Sequence, residues 1–109
     1  MNIYKYGLTQ NKVIYVLECP VLQEKNSLRD GRLKYEIQEE YPGYKKKSWI
    51  YADELEVMSN KRMYSLSGDN KDKYVEALKE ACKNTADNYL KKSQEALAML
   101  SEILRINNL

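Results

Sequence analysis

Histidine and phenylalanine are both absent from this 109-residue chain, which carries only four glycines, two prolines and two cysteines. Without histidine there is no commonest general base, no commonest metal ligand and no Ser-His or Cys-His nucleophile. Cys19 and Cys82 stand far apart and match no metal or redox spacing, so both read as reduced, half-buried side chains. No glycine-rich phosphate loop is present, and no carboxylate pair is placed for acid/base work. No apolar run approaches span length, and the opening Met1-Asn2-Ile3-Tyr4-Lys5-Tyr6 is unlike a signal peptide; a cytoplasmic location is expected. Charge of one sign is also lacking. Eighteen basic residues against sixteen acidic ones leave a net charge of +2, which argues against a dedicated duplex-DNA binder. No cofactor and no metal site is expected.

What is abundant is tyrosine, ten in all, in a background rich in Lys, Asn and Ile. Tyrosines pack as aromatics yet keep a hydroxyl, so they can present a hydrogen-bonding surface, although an AT-rich genome would give the same composition. The length fits one domain, 1–109, whose small core gains from association.

The chain is organised around residues 67–109. Beyond Gly68 no further glycine or proline interrupts it, so the sequence predicts one long helix opening at Ser67-Gly68-Asp69-Asn70. Asn70 to Ile106 would make a rod of about 55 Å, against about 25–30 Å for a compact domain of this size. Tyr74, Leu78, Cys82, Tyr89, Leu97, Leu100 and Leu104 form one apolar stripe, which becomes very wide from Ala96 onward. A rod of that kind predicts a partner, most simply a second copy packed antiparallel across a two-fold axis. Lys83-Asn84-Thr85-Ala86-Asp87-Asn88 is poor in helix formers, and a helical hairpin turning there is the alternative.

Residues 1–66 read as a meandering antiparallel sheet. Ile3–Leu8 and Val13–Cys19 form a hairpin; the second is a β-prone run suited to a central strand and is ended by Cys19-Pro20. Val21–Gly31 is polar and closes on a turn at Arg29-Asp30-Gly31-Arg32. Arg32–Gln38 alternates as Leu33, Tyr35, Ile37 against Lys34, Glu36, Gln38, a half-buried strand. Glu39–Gly43 reads as a turn and Tyr44–Tyr51 as the next strand. Ala52–Leu55 is one helical turn or a tight connection, and Glu56–Met58 pairs with Arg62–Leu66 across Ser59-Asn60-Lys61. The face carrying Tyr35, Ile37, Ile14 and Val16 is expected against the helix. The fold class is therefore α+β: sheet first, long helix after.

Few residues suggest chemistry. Lys45-Lys46-Lys47 near Trp49 and Tyr51 has the ingredients of a nucleic-acid site, but a lysine run at a strand end also guards against aggregation. Nucleic acid is the less expected partner. Arg29, Arg32, Arg62 and Arg105 are the only arginines, and arginine suits bidentate phosphate recognition.

The layout resembles small proteins of phages infecting low-GC Gram-positive hosts: a tyrosine-rich sheet, then Met63-Tyr64-Ser65-Leu66, then acidic and Asn residues opening a long helix. Among these it is similar to the type-one Thoeris anti-defence family, sponges that bind a cyclic ADP-ribose signal without cleaving it. The resemblance implies a pocket drawing on Leu78, Asn88 and Arg105, with Arg29 or Arg32 added. Leu78 departs from the family's aromatic, a role that Tyr74 or Tyr89 would take over. Asn88 and Arg105 lie about 25 Å apart on one helix, so the pocket would need Arg105 of one subunit against Leu78–Asn88 of another. The expected protein is a non-enzymatic, dimeric or hexameric sponge in the host cytoplasm, taking a cyclic-nucleotide-type signal. The alternative is an inhibitor that binds a bacterial defence effector, as an anti-CRISPR does, with no nucleotide ligand; a structural or regulatory phage protein is a third reading.

Overall fold

A computed structural model describes the backbone of residues 1–88 and 90–109 and the side chains of residues 1–83 and 94–109. Five antiparallel strands come first: β1 (Asn2–Leu8), β2 (Ile14–Asn26), β3 (Leu33–Tyr41), β4 (Tyr44–Tyr51) and β5 (Met63–Ser65). A short 3-10 turn, Ala52–Glu54, follows β4, and α1 (Lys71–Asn88) and α2 (Leu90–Ile106) complete the α+β fold. The strands lie in the order β4-β3-β2-β1-β5.

β1 is buried on both faces. Its odd-numbered residues point to one side, where Ile3 joins Cys19, Tyr35, Ile37 and Ile50 in a core closed by Ala52, Leu55 and Tyr64. Its even-numbered residues point the other way, where Tyr6 packs with Met63, Tyr74 and Leu78 under α1. Gly7 serves this arrangement directly: a Cβ there would lie 2.6 Å from the Tyr15 hydroxyl, so only glycine lets that ring cross β1.

β2 runs further than its sequence suggests. Pro20 does not end it, because the strand changes partners there: Ile14–Pro20 pairs with β1 and Val21–Asn26 with β3. A residue without an N–H is tolerated at such a changeover. The polar residues before Asn26 are strand rather than loop. The turn expected over Glu39–Gly43 shrinks to Pro42-Gly43, with Gly43 at φ 89° and Tyr41 opposite Tyr44. Glu39 and Tyr41 thereby become strand residues that reach over β1.

Two expectations about packing are corrected. The continuous helix is not found; α2 runs back beside α1, so that Leu78 and Cys82 share a wall with Ala96 and Met99. Residues 83–88, where the hairpin alternative would turn, are helical to the end of α1, and folding back beyond them lets each apolar arc cover the other. Ile103, expected to want a second subunit, is 1% exposed within one chain. The end of α2 is pinned to the β1–β2 turn by Asn107, whose amide donates to the Lys12 carbonyl and accepts from the Ile14 N–H. Second, Tyr35 and Ile37 face the core on the side of the sheet away from α1, while Ile14 meets the helix-side cluster and Val16 is exposed. Alternation marks a face without saying which face a helix will cover.

Candidate functional site

A concave surface surrounds the turn between Met58 and Met63. Ser59 and Arg62 exchange backbone hydrogen bonds at 2.9 Å, which leaves Asn60 and Lys61 as a two-residue hairpin loop with φ of 50° and 62°. Two consecutive left-handed residues define a primed turn, natural for asparagine and costly for lysine by about 1 kcal/mol. The strain is held from below: the buried Tyr74 hydroxyl of α1 donates to the Lys61 carbonyl at 2.7 Å.

On one side of this turn a hollow of about 480 Å³ is walled by Met58, Leu78, Ala81, Cys82, Ala96 and Met99, with Asn60, Lys61 and Glu95 as its polar residues. On the other a hollow of about 300 Å³ is lined by Leu8, Thr9, Lys12, Tyr15 and Arg62. Asn60, Lys61 and Met99 line both, so the two are halves of one trough, apolar at one end and cationic at the other. Lys12 is held by Glu102 at 2.8 Å, and this pairing keeps the Glu102 carboxyl below its usual range. Among the described residues no ion pair ties Lys61 or Arg62. Burial pushes the Cys82 thiol up, with Lys61 opposing, so this cysteine stays protonated and apolar at neutral pH. Among the described residues no group of His, Cys, Asp and Glu is placed to hold a metal.

A second polar cluster lies between the sheet halves. Lys5 Nζ donates to Glu39 Oε1 at 2.6 Å and to the Tyr41 hydroxyl at 2.7 Å, while Ser48 donates to Glu39 Oε2 at 2.6 Å. Tyr41 also donates to Glu39. Burial alone would raise the Glu39 carboxyl; the bonds from Lys5, Ser48 and Tyr41 more than reverse it, and its pKa ends below the ordinary value. Burial likewise works against the Lys5 ammonium, and Glu39 outweighs it. Among the described residues no buried side-chain nitrogen or oxygen lacks a partner, and this cluster acts as a structural tie.

The residues expected to form a site scatter. Leu78 sits in the core beneath α1 with one edge in the trough, and Tyr74 lies beside it under the turn. Arg32 is committed elsewhere: it bonds Asp53 through two nitrogens and stacks on Tyr51 at 3.9 Å. Arg29 is exposed in the β2–β3 turn, and Arg105 is exposed on the last turn of α2. None of these three arginines lines the trough. Asn88 closes α1, but its side chain, like the whole of Tyr89, lies outside the described residues. Lys12, Tyr15, Lys61 and Met99 were not legible as site residues; Leu78, through the resemblance, and Arg62, as one of four arginines, carried a signal. Comparison with protein families, curated proteins and solved structures finds no match for the chain. The fold also contains no helix long and apolar enough to cross a membrane among the described residues.

Proposed function

We propose that this protein is a sponge: it captures a cyclic ADP-ribose-type signal in the trough around Asn60-Lys61 and holds it without cleaving it. The observation that supports this reading is the division of that trough. Lys61 and Arg62, with Lys12 behind them, offer positive charge for a pyrophosphate, and Tyr15 offers a ring and a hydroxyl. Met58, Leu78 and Met99 supply an apolar wall for a base. A volume of about 480 Å³ at that end is in the range of small-molecule sites. The cleft needs no second subunit, unlike the one expected between two long helices. A chain without histidine also suits a protein that must not hydrolyse its cargo.

Isothermal titration with cyclic ADP-ribose isomers, followed by denaturation and recovery of the ligand, tests this. Heat release with intact ligand recovered is the expected result. Silence with every isomer removes the reading, and a cleaved product makes the protein an enzyme. A second reading is inhibition of a bacterial effector by direct contact through the β2–β3 turn, where Leu28 is 96% exposed. It predicts a tight protein complex that Leu28→Asp destroys, with no nucleotide affinity.

A further inference from the structure

β4 is the outermost strand of the sheet, and among the described residues nothing pairs with its far side. We propose that this edge pairs with β4 of a second copy, antiparallel about a two-fold axis at Ser48, joining two five-stranded sheets into one.

The Pro42-Gly43 hairpin decides which β4 amides face outward. The Tyr41–Tyr44 pair that closes a two-residue loop is hydrogen-bonded, and bonded and non-bonded pairs then alternate along the ladder. Tyr44, Lys46, Ser48 and Ile50 therefore turn their amides to β3, and Lys45, Lys47, Trp49 and Tyr51 turn theirs to the open edge. The strand is also divided chemically, with three lysines in its first half and Trp49, Ile50 and Tyr51 in its second.

Lysines normally guard an edge against any partner. Here they select one. An edge that pairs with its own copy does so antiparallel. Centring such a pair on Lys46 or Lys47 would set like charges face to face. Centring it on Ser48 sets Lys47 opposite the partner copy's tryptophan, Lys46 opposite its isoleucine and Lys45 opposite its second tyrosine. No lysine then meets a lysine, almost the whole strand is paired, and the outward amides of Lys47 and Trp49 meet their complements. The Lys34 ammonium already sits 4.6 Å over the Trp49 ring, so that ring accepts cations in the isolated chain. This assembly does not involve the trough and stands or falls separately from ligand capture.

Native mass spectrometry and amide exchange together test the pairing. The expected species has twice the chain mass of 12.8 kDa, with the Lys47 and Trp49 amides as protected as those of Ser48 and Ile50. Trp49→Lys, which sets lysine against lysine, and Trp49→Pro, which removes an outward donor together with the indole, should each halve the mass. Both should release the Lys47 amide while leaving the Ser48 and Ile50 amides protected, which shows that the fold survives. A wild-type monomer overturns the proposal. So does a dimer in which the Lys47 and Trp49 amides exchange freely.

Discussion

Lys5→Met is the substitution with the largest effect that the structure anticipates. Lys5 and Glu39 are 3% and 0% exposed; among the described residues Lys5 is the only cation within hydrogen-bond distance of that carboxylate, and the half-exposed Lys46 stands further off at 3.8 Å. Removing one partner of a buried pair leaves an uncompensated charge and costs about 3–5 kcal/mol. A domain of this size holds only about 5–15 kcal/mol in all, so the variant should sit near the edge of unfolding at room temperature. Adding Glu39→Gln removes the orphaned charge while keeping an oxygen for one of the Tyr41 and Ser48 hydroxyls and an N–H that the other can accept. Urea titrations of the two single variants and the double should therefore show strong coupling, with the double variant more stable than Lys5→Met alone. The pH dependence carries the same signature. Glu39 titrates below its unfolded value, so its contribution is complete above about pH 4.5 and is lost as pH falls through the lower folded value. Lys5 titrates above 10.5, so its share persists until pH rises past that point. Glu39→Gln should flatten the acid limb. If Lys5→Met costs under about 1 kcal/mol, the pair is solvated and the two sheet halves do not close over each other as described.

Other consequences can be checked together. Gly7→Ala should cost about 1–3 kcal/mol in a denaturant titration, because the new methyl meets the Tyr15 ring, and Tyr15→Ala in the same chain should recover part of it. Asn107→Ala should cost about 1–3 kcal/mol by leaving the Ile14 N–H and the Lys12 carbonyl unpaired, and amide exchange should localise the loosening to the β1–β2 turn and the end of α2. Arg105→Ala, which a cleft shared between two helices would make damaging, should leave ligand capture unchanged, because that side chain is exposed and outside the trough.

The sheet was more legible in the sequence than the helices or the site. Alternation at Leu33, Tyr35 and Ile37 fixed β3, and Pro42-Gly43 announced its hairpin with β4. Pro20 misled because proline is read as a strand end, whereas here it marks the point where one strand leaves one neighbour for another. Glu39 misled for a similar reason: in Glu39-Glu40-Tyr41 it looks like surface, and only long-range folding sets it on Lys5, 34 residues earlier. The hairpin alternative set its turn at 83–88, where Asn84, Thr85, Asp87 and Asn88 are weak helix formers, yet those residues are helical; what the missing glycine concealed is that an antiparallel pair of helices can bury the same apolar residues within one chain. The trough was not legible because its walls come from two turns and two helices. Its cations, Lys12, Lys61 and Arg62, look in sequence like any other surface charges.

In the proposed sponge the cations of this trough hold the pyrophosphate of the captured ligand. Titration of a cyclic ADP-ribose isomer into the wild-type protein and into a Lys61→Ala/Arg62→Ala variant of equal stability tests it most directly. Clear binding by the first and at least a tenfold loss in the second, about 1.4 kcal/mol, is the expected result. Equal affinity of the two proteins would contradict it.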